Sequence, residues 1–155
     1  MRGFFEIGVY HPKNTMNLGT LWRSAYQLGA SGIFTIGRRW AEQASDTVKA
    51  YRHVPLRSFE FWDQFHAALP RDCPVIAVEM GGAPLSRFAH PERGVYLLGA
   101  EDYGIPEPIL SKCHRRVSLE SVRMESFNVS VAGALVMYDR LSKSRVSGIT
   151  EAACG

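Results

Sequence analysis

The chain has 155 residues, 46% of them hydrophobic and 21% charged, with a net charge of +3. That length fits one domain, residues 1–155 with an ordered core over about 3–146, and the composition excludes a disordered chain. No apolar run reaches the roughly 20 residues that span a bilayer, and an acid at Glu6 interrupts what a signal peptide would keep apolar; a cytoplasmic protein is expected.

Phe4 to Tyr10 reads as a short strand, stopped by the loop His11-Pro12-Lys13-Asn14 because proline cannot donate to a ladder. From Leu18 the period changes. Leu18, Leu21, Trp22, Ala25 and Leu28 share one helical face, and Gly29 follows as the C-terminal signal. Gly32 to Gly37 is a second strand, so the first unit is strand–helix–strand with a right-handed crossover. A helix is expected within Trp40 to Lys49, and the spacing of Phe59, Trp62, Phe65 and Leu69 predicts another, ended by Pro70. Pro74 to Glu79 and Gly94 to Gly99 are near-continuous apolar runs of the kind buried in parallel sheets, and Arg116 to Leu119 is a shorter candidate. A last helix is predicted from about Asn128 to Ser142, with fraying from about Ser147. Strands alternating with helices give a three-layer α/β domain with a mostly parallel sheet.

Open α/β sheets bind ligands beyond the carboxyl ends of their strands. The loops Met80-Gly81-Gly82, Gly99-Ala100-Glu101 and Glu120 to Ser126 fall there. No G-x-G-x-x-G, G-x-x-x-x-G-K-[ST], G-x-S-x-G or H-E-x-x-H occurs, which argues against nucleotide-fold, P-loop, hydrolase and zinc readings. Cys73, Cys113 and Cys154 have neither disulfide-framework nor metal spacing, so reduced thiols and no metal are expected. Local basic clusters (Arg38-Arg39; Arg52-His53 with Arg57; Lys112 with His114 to Arg116; Arg140 with Lys143 and Arg145) suit either solvated surface or a phosphate backbone.

Three segments carry more. They are Asn17-Leu18-Gly19-Thr20-Leu21-Trp22-Arg23, Leu97 to Pro106 with Gly99-Ala100-Glu101 inside it, and Ser126-Phe127-Asn128-Val129-Ser130-Val131-Ala132. By local chemistry alone, Ser126 and Asn128 read as helix N-caps, and so does Asn17. In this order and at these separations, however, the three segments resemble the three motifs of the SpoU/TrmH branch of the SPOUT RNA methyltransferases. The resemblance runs from Phe5 to about Ser142, with Phe127 where the family has leucine.

The resemblance implies an S-adenosylmethionine-dependent 2′-O-methyltransferase acting on RNA ribose, with tRNA favoured over rRNA and S-adenosylhomocysteine as product. It also implies a deep trefoil knot in the C-terminal third and a homodimer. Carried over by position, the active site comprises Arg23, Asn17, Glu101, Ser126 and Asn128. The cofactor is held mostly by main-chain groups at Val78, Glu79, Gly99, Leu119 and Ser126, with Ile105 and Met124 as apolar walls. The family proposes the arginine as general base, a role at odds with a group that stays protonated. A fixed cation on a phosphate or a developing alkoxide is the other reading for Arg23. Two rival readings stand beside this one: a catalytically silent RNA-binding dimer on the same fold, and a metabolic enzyme of another doubly wound fold.

Overall fold

A computed structural model describes residues 3–37, 53–100, 102–123 and 126–154, the stretch from 145 as backbone only. Six strands form one sheet in the order β3-β2-β1-β5-β4-β6, every neighbouring pair parallel. They are β1 (Phe4–Tyr10), β2 (Gly32–Ile36), β3 (Leu56–Phe59), β4 (Val75–Pro84), β5 (Arg93–Leu98) and β6 (Arg115–Ser118). The helices are α1 (Thr15–Leu28), α2 (Trp62–Ala67), α3 (Glu107–Leu110) and α4 (Val129–Cys154).

Two apolar cores make the layers. On one face Leu18, Leu21, Trp22 and Ala25 of α1 and Val129, Ala132, Val136 and Met137 of α4 pack on Ile7, Ile76, Tyr96 and Leu98. On the other, Trp62 and Phe65 of α2 and Ile109 of α3 pack on Phe34, Ala77, Val95 and Leu97. Strands covered on both sides need no polar alternation, which is why β4 and β5 read as unbroken apolar runs.

The α1 boundaries follow from caps. Asn14 Oδ1 accepts from the Met16 and Asn17 amides, and Gly29 (φ 88°) closes the helix in the left-handed region that favours glycine. The cap is thus Asn14 and not Asn17. Phe59 ends β3 instead of opening a helix, and α2 starts only at Trp62. The last helix runs to Cys154, past the end expected near Ser142. The helix expected within Trp40 to Lys49 and the basic residues Arg38, Arg39 and Arg52 lie outside the described residues.

Arg140 and Lys143, for which the sequence left solvated surface or a phosphate backbone open, are internal ties instead. Arg140 is buried and donates to the Pro91 and Glu92 carbonyls and to the Tyr96 hydroxyl. Lys143 Nζ donates to the Leu85 and Phe88 carbonyls and pairs with Asp139 at 2.8 Å. These bonds hold α4 against the segment between β4 and β5.

His90 completes that network, with Nδ1 2.7 Å from the Tyr96 hydroxyl and Nε2 2.7 Å from Asp139 Oδ2. Burial lowers its pKa below the ordinary 6.5, outweighing the raising effect of Asp139. The folded chain therefore takes up this proton less readily than the unfolded chain. Neutral His90 contributes its full share of stability above about pH 6.5 and loses it as pH falls below that value. Urea unfolding between about pH 7 and pH 5 is expected to show this slope in the native chain and a flatter one in His90→Asn. Identical slopes in the two proteins would remove His90 from the pH response.

Candidate active site

Because all six strands run the same way, their carboxyl ends meet at one edge. There β4, β5 and β6 open onto a cavity of about 310 Å³. Its apolar wall is Val78, Leu98, Leu119, Val129 and Ala132; its polar wall holds Glu79, Asp102, Ser121 and Ser126; Met80, Tyr103 and Phe127 stand at the rim.

Three chain segments shape this cavity, and each is fixed by identifiable bonds. The first is an excursion in β4. The strand leaves its ladder after Val78 and rejoins it at Ala83, both residues pairing with Val117. Met80-Gly81-Gly82 is therefore a bulge inside a longer strand, not a loop after it. Ser118 Oγ staples the bulge by donating to the Glu79 carbonyl and accepting from the Gly82 amide.

The second segment is the turn from Gly99 to Ile105. The Gly104 amide donates to the Ala100 carbonyl at 3.0 Å, and Gly104 adopts φ 64°. Glu79 couples this turn to the bulge: Oε2 accepts from the Ile105 amide at 2.9 Å and Oε1 from the Met80 amide at 3.0 Å. The turn also packs on itself. A Cβ on Gly99 would lie 2.4 Å from the Gly104 carbonyl carbon, and one on Gly104 would lie 2.4 Å from Glu79 Oε2.

The third segment follows β6. Glu120 accepts from the Ser86 amide at 2.7 Å and from its hydroxyl at 2.8 Å, and these donors hold the carboxyl below its ordinary pKa. The segment enters α4 through Asn128. Asn128 Oδ1 accepts from the Ser130 amide at 2.9 Å and its hydroxyl at 2.6 Å, an N-cap. Its Nδ2 donates to Asn17 Oδ1 at 3.1 Å. Asn17 lines a small void with Ala100 and Val129, two residues that also wall the main cavity.

The residues singled out by sequence thus separate. Val78, Glu79, Gly99, Leu119 and Ser126 surround one cavity. Asn17 and Asn128 are bonded to each other beside it. Arg23 sits on the exposed side of α1, about 9 Å along the helix axis from Asn17, and among the described residues nothing bonds to its guanidinium. Ile105 does not wall the cavity; its side chain joins the core of Phe34, Trp62 and Ile109 on the opposite face of the sheet. Glu101 and Met124 lie outside the described residues. Sequence reasoning missed the Glu79 carboxylate as a tie, and it missed Tyr103 and Phe127 at the rim. The only signal for Glu79 was an acid closing a wholly apolar strand.

The cavity suits S-adenosylmethionine. Its volume is in the range of small-molecule sites. Its apolar wall can take an adenine, its serine hydroxyls can bond polar groups, and the Glu79 carboxylate favours a sulfonium charge. Among the described residues no group of acidic, histidine or cysteine side chains has the geometry to hold a metal ion. Nor is any described helix long and apolar enough to cross a membrane.

Comparison with known proteins places these features. A family model described as the SpoU rRNA Methylase family matches residues 5–138. A tRNA (cytidine(34)-2'-O)-methyltransferase of Ancylobacter novellus is 28% identical over 89% of this chain and 92% of its own length. A protein of the same description from Beijerinckia indica is 26% identical over 87% of this chain and 89% of its own. A solved structure, described as giving structural insights into the 2-OH methylation of C/U34 on tRNA, superposes with a TM-score of 0.80 at 25% identity. It covers 96% of this chain and 99% of the other. The SpoU methyltransferase AviRb from Streptomyces viridochromogenes, in complex with the cofactor AdoMet, superposes with a TM-score of 0.79. At 19% identity over 95% of this chain and 60% of AviRb, that likeness is one of fold.

Proposed function

Because the chain belongs to the SpoU rRNA Methylase family, in the SpoU/TrmH branch of the SPOUT RNA methyltransferases, we propose that it moves the methyl group of S-adenosylmethionine onto the 2′-hydroxyl of an RNA ribose, leaving S-adenosylhomocysteine. The substrate is tRNA in preference to rRNA. Position 34 is the first nucleotide to examine, since two relatives are named for it. A 2′-hydroxyl also restricts the substrate to RNA. The reading includes one cytoplasmic domain, with the C-terminal third tied in a trefoil knot.

The single observation that carries the reading is this cavity, walled by two of the three motif segments and flanked by the Asn17–Asn128 bond that draws in the first. When bound, S-adenosylmethionine supplies an electrophilic methyl group, so the protein need only orient the acceptor oxygen and manage charge. Val78, Leu98 and Leu119 would take the adenine side, and Ser121 and Ser126 the polar side. Asn17 and Asn128 hold the starts of α1 and α4 in register beside the acceptor position. Arg23 brings a permanent cation to a phosphate or to the developing alkoxide.

Arg23 meets this role across a homodimer. On the outer face of α1 and α4, Thr20, Ser24, Leu28, Val131, Leu135 and Tyr138 line an open apolar groove, and Leu135 and Tyr138 are 41% and 63% exposed. Arg23 lies on the same helix, one residue before Ser24. In the proposed dimer, packed on this groove, the guanidinium of each copy serves the cavity of the other. In sedimentation at micromolar concentration the native chain is expected to be a dimer, and Leu135→Asp is expected to shift it to monomer by placing a charge in the apolar contact. A monomeric native chain would contradict the dimer.

Tritiated-methyl transfer to total RNA, followed by nucleoside mapping, tests the activity. Label in the 2′-O-methylated ribose of tRNA is the expected result. Label on a base, or none in any RNA, would overturn the proposal.

A further inference from the structure

We infer that Tyr103 is a stacking platform for an unpaired base of the substrate RNA, a recognition element at the mouth of the proposed site; the inference rests on the RNA methyltransferase reading. An exposed aromatic alone carries no message, because single apolar side chains are common on protein surfaces. Tyr103 differs in three respects.

Its place is the first. Tyr103 is 83% exposed, yet it lines the cavity. A ring in that position buries itself only when something enters the site.

The second is its mounting. Tyr103 projects from a turn closed by the Gly104–Ala100 hydrogen bond and by the left-handed Gly104. The next residue, Ile105, is anchored by its amide to Glu79 and by its side chain to the core. The ring is therefore offered on a fixed base, and little conformational freedom is lost when a ligand stacks on it.

The third is its neighbour. Lys13 Nζ lies 4.9 Å from the ring centroid and 2.5 Å from Asp102 Oδ2. Asp102 thus holds the ammonium over the ring, a cation–π contact that braces it without burying it. Lys13 immediately precedes Asn14, the cap of α1, so the cluster ties the start of α1 to the second motif segment. The Asp102 carboxylate offsets the lysine charge. What the cluster offers is mainly a π-face, and such a surface is fit for a base rather than for a phosphate. Base-on-aromatic stacking is the common way proteins hold unpaired RNA bases. Ribose chemistry at a cavity needs such an anchor to keep the neighbouring sugar still.

The test uses the full chain, an unmodified tRNA transcript and S-adenosylmethionine, each titrated separately. Tyr103→Ala is expected to weaken binding of the transcript about tenfold, with the cofactor dissociation constant changed by less than about twofold. Tyr103→Phe and Tyr103→Trp are expected to bind the transcript like the native chain, because each keeps a ring. The salt dependence of binding is expected to keep its slope in Tyr103→Ala, since stacking releases no counterions. An oligoribonucleotide carrying a fluorescent base analogue is expected to be quenched by the native chain and not by Tyr103→Ala. Three outcomes would overturn the platform: native transcript affinity in Tyr103→Ala, a Tyr103→Phe as weak as Tyr103→Ala, or equal losses for cofactor and RNA. If the native enzyme methylates tRNA and Tyr103→Ala is indistinguishable from it, only the platform is lost. If the native enzyme methylates no RNA, the underlying reading is lost as well.

Discussion

Arg23→Ala is expected to lower kcat for methyl transfer by at least about a hundredfold, the scale seen when one charge-stabilising donor is removed from an active site. Affinity for S-adenosylmethionine is expected to stay within about twofold of native. The split follows from position. Arg23 lies on the solvent side of α1, away from the walls of the cavity, and nothing in the described fold depends on it. Its removal should therefore cost no packing and disturb no cofactor contact. Lysine at this position separates the two readings of its role. A fixed cation is partly replaced by Lys, whereas a guanidinium that holds a phosphate through two parallel bonds is not. The measurement is single-turnover methyl transfer beside calorimetric titration of the cofactor. Native kcat in Arg23→Ala would take the residue out of the mechanism, and loss of cofactor binding would place it in the wrong role.

Gly99→Ala is expected to show the opposite pattern. The added Cβ would lie 2.4 Å from the Gly104 carbonyl carbon and 2.6 Å from the Ile105 amide nitrogen. Those are backbone atoms of a turn held by Glu79 and by its own hydrogen bond, so no side chain can swing away to relieve the clash. The turn must move outward or the β5 end must shift, and either change deforms the wall built by Leu98, Gly99 and Ala100. Cofactor affinity is expected to fall by at least about tenfold, with stability reduced by about 1–3 kcal/mol, the usual scale of overpacking. Calorimetry and urea unfolding would read both. Native affinity in a folded Gly99→Ala would show that the cofactor does not depend on this turn.

These two residues mark how far the sequence could be read. The central strands were legible because a sheet covered on both faces writes itself as apolar runs, and α1 because its buried stripe recurs at helical spacing. The edge strand β3 was not, since Leu56-Arg57-Ser58-Phe59 has no such run. Asn17 was read as the cap of α1 and Asn14 only as loop, although both fit the capping rule and lie three residues apart. Asn14 took the cap while Asn17 turned its side-chain oxygen to Asn128. Ile105 failed for a related reason. Its place in the chain was right, since its amide stands in the turn, but spacing cannot say which face of a sheet a loop residue will enter. The ties that shape the site, Glu79 to Ile105 and Glu120 to Ser86, link residues 26 and 34 positions apart. No local periodicity encodes such pairs. Arg140 was misread because charge suggests surface, whereas three carbonyl and hydroxyl acceptors made burial affordable.

The Asn17–Asn128 bond joins partners 111 residues apart, and α4 supplies Val129 and Ala132 to the cavity wall. During synthesis, then, the early strands emerge from the ribosome well before the helix that completes the wall of their cavity. A nascent chain that has made only β1 to β6 has an open trough in place of a closed chamber. The cavity wall is completed only when α4 docks, and closure between such distant segments is slow.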